Sequence, residues 1–321
     1  MRKSLFATLA LSCALAGGAE AADGQADTRA TGPATAPSTA LLGNVDFAVD
    51  DAGVHVSNVR LGGLHPCGAY LDDLGFAARS MRELGIDEAR DTATLARTLG
   101  STAIADRGIK AEAGFVQIAG RTRVVGDATW NAPPVAGTTL AVVAAGDIVG
   151  TPAAIDRGIA YGFIGASVER ALADRITANG VAGYQSFTDG NERMHLRARL
   201  TWRAAPAFGL DAQLRWRQYE RRGDGLDTPY FNPEHYSQWQ GVLALRRKVG
   251  ALALSGAVGA GVETVDGTDR HPVTTAEMRV EGLVLEKLRL AVYARYNRST
   301  DDADLPDSSY RQAGMTLSYP F

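Results

Sequence analysis

From Gly108 to the C-terminus, apolar and polar residues alternate with a period of two. Met194, Leu196, Ala198, Leu200 and Trp202 fall on one parity, and Arg193, His195, Arg197, Arg199 and Thr201 on the other. Leu210, Ala212, Leu214 and Trp216 likewise oppose Asp211, Gln213, Arg215 and Arg217. The pattern recurs through Leu252–Glu263, Ala276–Val284 and Leu288–Asn297. A pleated strand sends successive side chains to opposite faces, so each segment has one apolar and one charged face. Soluble sandwiches also alternate, but these segments run about ten to twelve residues against about five or six in soluble strands, which suits tilted strands crossing hydrocarbon. Connections alternate in length. Arg298–Ser309, Thr264–Thr274 and Glu220–Gln238 are long, whereas Glu286-Lys287, Lys248–Gly250 and Ala204–Phe208 are short. That asymmetry and tryptophans near strand ends (Trp130, Trp202, Trp216, Trp239) fit a membrane barrel with short turns at one mouth and aromatic girdles.

The fold class this predicts is all-β: a transmembrane antiparallel β-barrel of about fourteen strands, with twelve and sixteen as neighbouring counts. Twelve strands are read from Gly108 onward, and two more at Asn44–Val49 and Val54–Leu61. Between Tyr70 and Leu99 the spacing changes. Leu71, Leu74, Ala78, Met81 and Leu84, then Ala89, Ala93, Leu95 and Leu99, recur at helical intervals, which predicts a short helical insert. A bent pair of strands is the competing reading. The N-terminus carries a basic Met1-Arg2-Lys3, an apolar Leu5–Ala16 and an Ala19-Glu20-Ala21 cleavage pattern, the marks of an export signal. The expected organisation is a signal peptide at 1–21, a small, polar, proline-containing linker at 22–40, N-terminal strands with the helical insert at 41–107, and the barrel at 108–321.

Composition narrows the partners. In 321 residues the net charge is −3, which argues against a nucleic-acid-binding surface. Mean hydropathy is −0.10 and no long apolar run follows the leader, which excludes a helical membrane protein and leaves a barrel untouched. Only Lys3, Lys110, Lys248 and Lys287 are lysines among the 33 basic residues, so nearly all positive charge sits on planar, multidentate arginine. Cys13 lies in the leader, which leaves Cys67 without an intramolecular partner. No cofactor or metal site is expected.

The last segment, Arg311–Phe321, alternates again. Met315, Leu317, Tyr319 and the terminal Phe321 form its apolar row, which resembles the signal by which the barrel-assembly machinery recognises its substrates. Pro320 departs from that pattern, tolerable where the ladder is ending. The Phe187-Thr188-Asp189-Gly190-Asn191 turn, the Thr228–Tyr236 loop segment and Gly126–Asn131 together resemble the C-terminal porin domain of bacterial exopolysaccharide exporters, the cellulose and poly-N-acetylglucosamine secretion class. The family usually carries a helical-repeat scaffold before its barrel, and no 34-residue period runs through this chain. The resemblance implies an outer-membrane location in a Gram-negative cell and contact with outer-membrane lipid. It also implies the assembly machinery and a polysaccharide as partners.

Candidate site residues follow from the inward parity. Arg193, His195, Arg197, Arg199, Asp211, Gln213, Arg215, Arg217, Tyr219, Glu277, Arg279, Glu281, Arg289, Tyr293 and Arg295 are expected to line the lumen. They either pair across a narrow barrel, with Glu112, Glu277, Glu281 and Asp211 as the acids, or edge a polar pore for sugars or anions. Tyr230, Phe231, Asn232, Pro233 and Tyr236 form an aromatic, proline-stiffened outer-loop contact, read as a constriction or carbohydrate-contacting lip, or as a loop packed on itself over the mouth. No HExxH, GxSxG or CxxC is present, and Gly256–Gly261 has the spacing GxxGxG within a strand, so no nucleotide loop is assigned. The function classes in view are a porin-like conduit, a closed structural barrel with a filled lumen, and a rim enzyme built on His235, Ser237 and His271.

Overall fold

The computed structural model describes residues 40–50, 54–67, 70–84, 89–103, 108–132, 135–223, 228–299 and 308–320. The expected signal peptide, most of the expected linker and the terminal Phe321 lie outside these residues. Sixteen antiparallel strands form one closed barrel. They are β1 (Ala40–Asp50), β2 (Val54–Cys67), β3 (Tyr70–Leu84), β4 (Ala89–Ala103), β5 (Gly108–Ile118), β6 (Arg121–Asn131), β7 (Thr138–Ile148) and β8 (Ala160–Ala173). The second half comprises β9 (Ile176–Phe187), β10 (Glu192–Ala205), β11 (Leu210–Arg222), β12 (His235–Val249), β13 (Leu252–Val265), β14 (His271–Leu283), β15 (Arg289–Ser299) and β16 (Ser308–Pro320). Every strand pairs with its sequence neighbours, and β1 closes the ring against β16 from Ala40↔Pro320 to Asp50↔Tyr310. A five-residue helix, α1 (Pro152–Asp156), connects β7 to β8.

Strands of 11 to 15 residues rise about 3.3 Å per residue. Tilted by about 40°, they cover roughly 28–38 Å along the barrel axis, enough for the hydrocarbon layer. The outward rows are apolar and exposed: Leu196, Leu200, Trp202, Leu214, Leu243, Val258, Met278, Val292 and Met315 all face away from the lumen. A belt of this extent has no place on a soluble monomer and is the surface a bilayer covers. Trp130 and Trp202 end the outward rows of β6 and β10. Trp216 and Trp239 pair across β11 and β12, with ring centroids 5.9 Å apart, where those rows change to Gln218 and Ser237. The aromatics therefore mark the limits of the apolar band, and on β11 the strand itself continues beyond it.

Two sequence expectations are corrected. The segment from Tyr70 to Leu99 is not a helical insert: it forms β3 and part of β4, paired in register from Tyr70↔Ala103 to Leu84↔Ala89. The barrel accordingly starts at Ala40, not Gly108, and the two extra strands raise the count from about fourteen to sixteen. The apolar spacing of Leu71, Leu74 and Ala78 was a weak local preference. Thr92, Thr94, Thr98 and Thr102 favour a pleated backbone, and pairing with β3 along the whole strand and with β5 over Ala96–Ser101 satisfies its backbone groups.

The long connections β7–β8 and β11–β12 share one mouth with a tight β5–β6 turn. Ala119 and Gly120, at φ 46° and 70°, make the two-residue β5–β6 hairpin, whose twist requires left-handed backbone at both positions. The end holding Ala40 and Pro320 is called here the terminal end, and the other the loop end. At the loop end α1 and the β11–β12 loop turn into the barrel. Val149, Ala154, Ile159, Tyr161, Phe187 and Tyr230 form one buried cluster there, and Val116, Ile118, Val125, Ile148 and Ile155 a second. The apolar core of this molecule is thus inside the mouth, while the wall's apolar face is outside.

Candidate functional site: the lumen wall

Register places Arg193, His195, Arg197 and Arg199 on the inward face of β10. Directly opposite on β11 stand Arg221, Tyr219, Arg217 and Arg215. Three of these four successive inward pairs set arginine against arginine, an arrangement that repels across a strand pair. Each guanidinium meets different compensation. Arg217 donates to the Tyr236 hydroxyl at 2.8 Å and lies over its ring, 5.2 Å from the centroid. Arg215 donates to Gln213 Oε1 at 2.8 Å. Arg199 lies 3.9 Å from Glu169, and Arg221 lies 2.7 Å from Glu234. Asp211 occupies the terminal end of the β11 row, opposite Arg203.

Further round the wall, β14 and β15 carry a separate charged group. Arg279 pairs with Glu281 at 3.0 Å, and Arg295 with Glu277 at 4.0 Å. Glu277 and Glu281 thus meet arginines on β14 and β15, which bears on the alternative in which the inward charges pair across the barrel: these contacts run along one stretch of wall. Tyr293 packs on Gly314, where an added Cβ would lie 2.4 Å from its ring, and the Arg295 guanidinium lies 6.0 Å from the ring centroid. Arg289 is exposed at the terminal end. The side chain of Glu112 lies outside the described part.

Toward the loop end the wall becomes dense and aromatic. Tyr219 stacks on Tyr236, with centroids 4.4 Å apart and planes 7° from parallel, and Phe231 meets both rings edge-on. His195 Nε2 is 2.8 Å from Gln185 Oε1, between Phe163 and Tyr219. Glu263, buried, accepts from Tyr236 at 2.6 Å, from Gln238 at 3.2 Å and from Ser299. Tyr236 was expected on the outer loop. It instead belongs to β12 and faces inward, because its register partner is Tyr219.

The loop residues that remain, Tyr230, Phe231, Asn232 and Pro233, pack inside the mouth. Tyr230 stacks on Phe187 at 4.7 Å, and its hydroxyl donates to Asp189 at 2.8 Å. Burial first, and that carboxylate second, push the Tyr230 phenol above its ordinary range, so it stays neutral. Thr151, which caps α1 by accepting from the Ala154 N–H, donates its own hydroxyl to the Pro229 carbonyl at 2.7 Å. Asn232 donates to Asn191 Oδ1 at 3.1 Å and accepts from Arg193 at 3.0 Å.

Several of these residues escaped the sequence reading. Phe163, Gln185 and Glu263 all sit on inward parity, which was the available signal, but only cross-strand register brings them to His195 and Tyr236. Ser237, by contrast, lies on the outward row of β12 and His271 on the inward row of β14, so the two do not share a face. Among the described residues no group of three or more His, Cys, Asp or Glu is placed to hold a metal ion. Met315, Leu317 and Tyr319 lie on the outward row of β16.

No family model and no curated protein matches this sequence. Solved structures do. A structure described as a bacterial polysaccharide outer membrane secretin is 12% identical, with a TM-score of 0.69, covering 89% of this chain and 99% of that one. OccK7 of Pseudomonas aeruginosa is 12% identical at a TM-score of 0.46, covering 88% and 98%. The outer-membrane channel DcaP of Acinetobacter baumannii is 13% identical at 0.42, covering 88% and 96%. The resemblance read from short sequence motifs is therefore matched in three dimensions: this chain has the fold of an outer-membrane β-barrel and is similar in architecture to the barrel of a polysaccharide secretin.

Proposed function

We propose that the chain is a porin-like conduit of the Gram-negative outer membrane, with its terminal end in the periplasm, and that the material it passes outward is a polysaccharide. The arginine ladder between β10 and β11 carries this reading. Three facing arginine pairs concentrate planar, multidentate donors on one stretch of the lumen wall, a lining suited to passing groups rich in oxygen acceptors. The aromatic faces of Tyr219 and Tyr236 at the loop end of that ladder are surfaces on which sugar rings stack. The secretin's similar fold makes a polysaccharide the substrate class to test first. The outward row of β16 and the terminal Phe321 are the segment the barrel-assembly machinery would read, and the apolar belt is the lipid contact.

Purified protein in a planar bilayer should give steady current with anions preferred over cations, because a low-dielectric wall strengthens the arginine field. Absence of steady current would overturn the conduit. The second reading is a closed structural barrel, and one observation favours it: α1 and the β11–β12 loop bury Val149, Ala154 and Tyr230 inside the mouth. The same bilayer measurement decides between them.

A further inference from the structure

Arg193 is the buried arginine of the ladder, the others being half-buried. It is 4% exposed, and all its partners are neutral: the Phe231 carbonyl, Asn232 Oδ1 at 3.0 Å, and the rings of Phe187 and Tyr219 at 5.3 and 5.1 Å. Its Nε–H has no acceptor, and neither has the Nε2 amide of Gln185, fully buried at its register partner, whose Oε1 accepts from the His195 Nε2–H. A buried guanidinium without an anion, among unused donors, is costly to maintain. The acceptors that cap it come from the β11–β12 loop, and the arginine ladder leads to it from the terminal end.

We propose that Arg193 and Gln185 form an oxyanion site that gates the lumen, with the His195 Nε2–H donating to Gln185 Oε1 and so turning the Gln185 amide N–H groups toward the site. With the site capped, Phe231 and Asn232 occupy the guanidinium and the loop is held in the mouth. An oxyanion on an acidic glycan, a uronate carboxylate being the probe chemistry, replaces those neutral acceptors, because a carboxylate can take two guanidinium N–H groups at once and adds an opposite charge that a carbonyl lacks. The loop then keeps the Asn232–Asn191, Tyr230–Asp189, Thr151–Pro229 and Arg221–Glu234 contacts but loses its bonds to Arg193, and it leaves the mouth more readily. This inference deepens the conduit reading and rests on it for the meaning of opening, while binding at the site stands apart from current.

The test uses the full-length protein in detergent and in planar bilayers, with Arg193→Gln and Asn232→Ala as variants and heat-modifiable migration confirming that each is folded. Trigalacturonate, cellotriose and sodium sulfate are the probes. In wild-type protein trigalacturonate should raise the open fraction and cellotriose should not. Sulfate acting as well would identify any oxyanion as sufficient, whereas trigalacturonate alone would identify the glycan-borne group. Asn232→Ala should open more readily and still respond. Arg193→Gln should be open without ligand and should bind trigalacturonate at least about tenfold more weakly in equilibrium dialysis, the loss of one charged donor. Equal trigalacturonate binding by Arg193→Gln and wild type overturns the site, and an equal response to cellotriose overturns its oxyanion chemistry. Absence of current in every variant, with the binding difference intact, overturns the conduit and spares the site. Should Arg193→Gln fail to fold, an Asn232→Ala barrel indistinguishable from wild type in opening overturns the gate.

Discussion

Exchanging the character of two adjacent residues on β11 tests the assignment of inside and outside. Leu214 is 47% exposed on the outward row between Ala212 and Trp216, paired with Leu200 and Gly241 on its two sides. Leu214→Arg places a guanidinium in hydrocarbon, which at the midplane costs about 2–4 kcal/mol. No acidic residue precedes Gln218 on that row to relieve it. A cost of about 3 kcal/mol shifts the folding equilibrium by roughly two orders of magnitude. Arg215 faces the lumen and donates to Gln213, so Arg215→Leu removes a hydrogen bond worth about 1 kcal/mol and relieves its repulsion with Arg199. Urea titration of each variant folded into lipid vesicles, read by the fraction migrating as the compact unboiled form, gives both values on one scale. A larger loss for Arg215→Leu than for Leu214→Arg would mean that the two faces are inverted.

Other outcomes follow from particular contacts. Glu263→Ala strands the donors of Tyr236, Gln238 and Ser299 in a buried place and should cost about 3 kcal/mol in the same urea titration, with Glu263→Gln recovering part of it. Arg215→Gln combined with Arg217→Gln should shift the reversal potential in a salt gradient toward cations while the barrel still assembles, since Glu277 and Glu281 keep their own arginines. Gly209→Ala should impair assembly strongly: the residue is left-handed at φ 70°, and a Cβ would lie 1.8 Å from the Arg246 carbonyl oxygen. The Tyr230 phenol keeps its proton in the folded protein above the ordinary phenol value of 10.0, so its contribution to loop docking is complete below that pH and falls as pH rises past it. Protease accessibility of the 228–234 segment should therefore increase in that alkaline range and not in Tyr230→Phe.

Alternation made β10 and β11 readable because each strand carries its own evidence: Leu196, Leu200 and Leu214 out, Arg197, Arg199 and Arg215 in. It failed over Tyr70–Leu84, where residues at intervals of three and four match a helix about as well as a strand. The deciding interactions there, hydrogen bonds to β2 and to β4, are not local. The inward row of the site was readable for the same reason the strands were. What joins its members was not. Arg193 faces Arg221 only through the β10–β11 register, and it meets Asn232 only because a loop returns into the barrel. The Phe187–Asn191 turn and the Thr228–Tyr236 loop drew attention separately as motifs, and the structure shows them clasping one another.

The closing seam sets the order of events during assembly. Asn44 reaches Thr316 across 272 residues of sequence, and one edge of β1 is matched only by the final strand, β2 taking the other. No partial chain can therefore satisfy its first strand, and until β16 arrives the growing sheet presents two raw edges, each a template for joining another chain. Contacts this distant in sequence form slowly. A chaperoned, unfolded passage to the membrane is thus part of the requirement this topology imposes, and a truncation that removes β16 would do more than shorten the barrel: it would leave an open, adhesive sheet where a sealed cylinder should be.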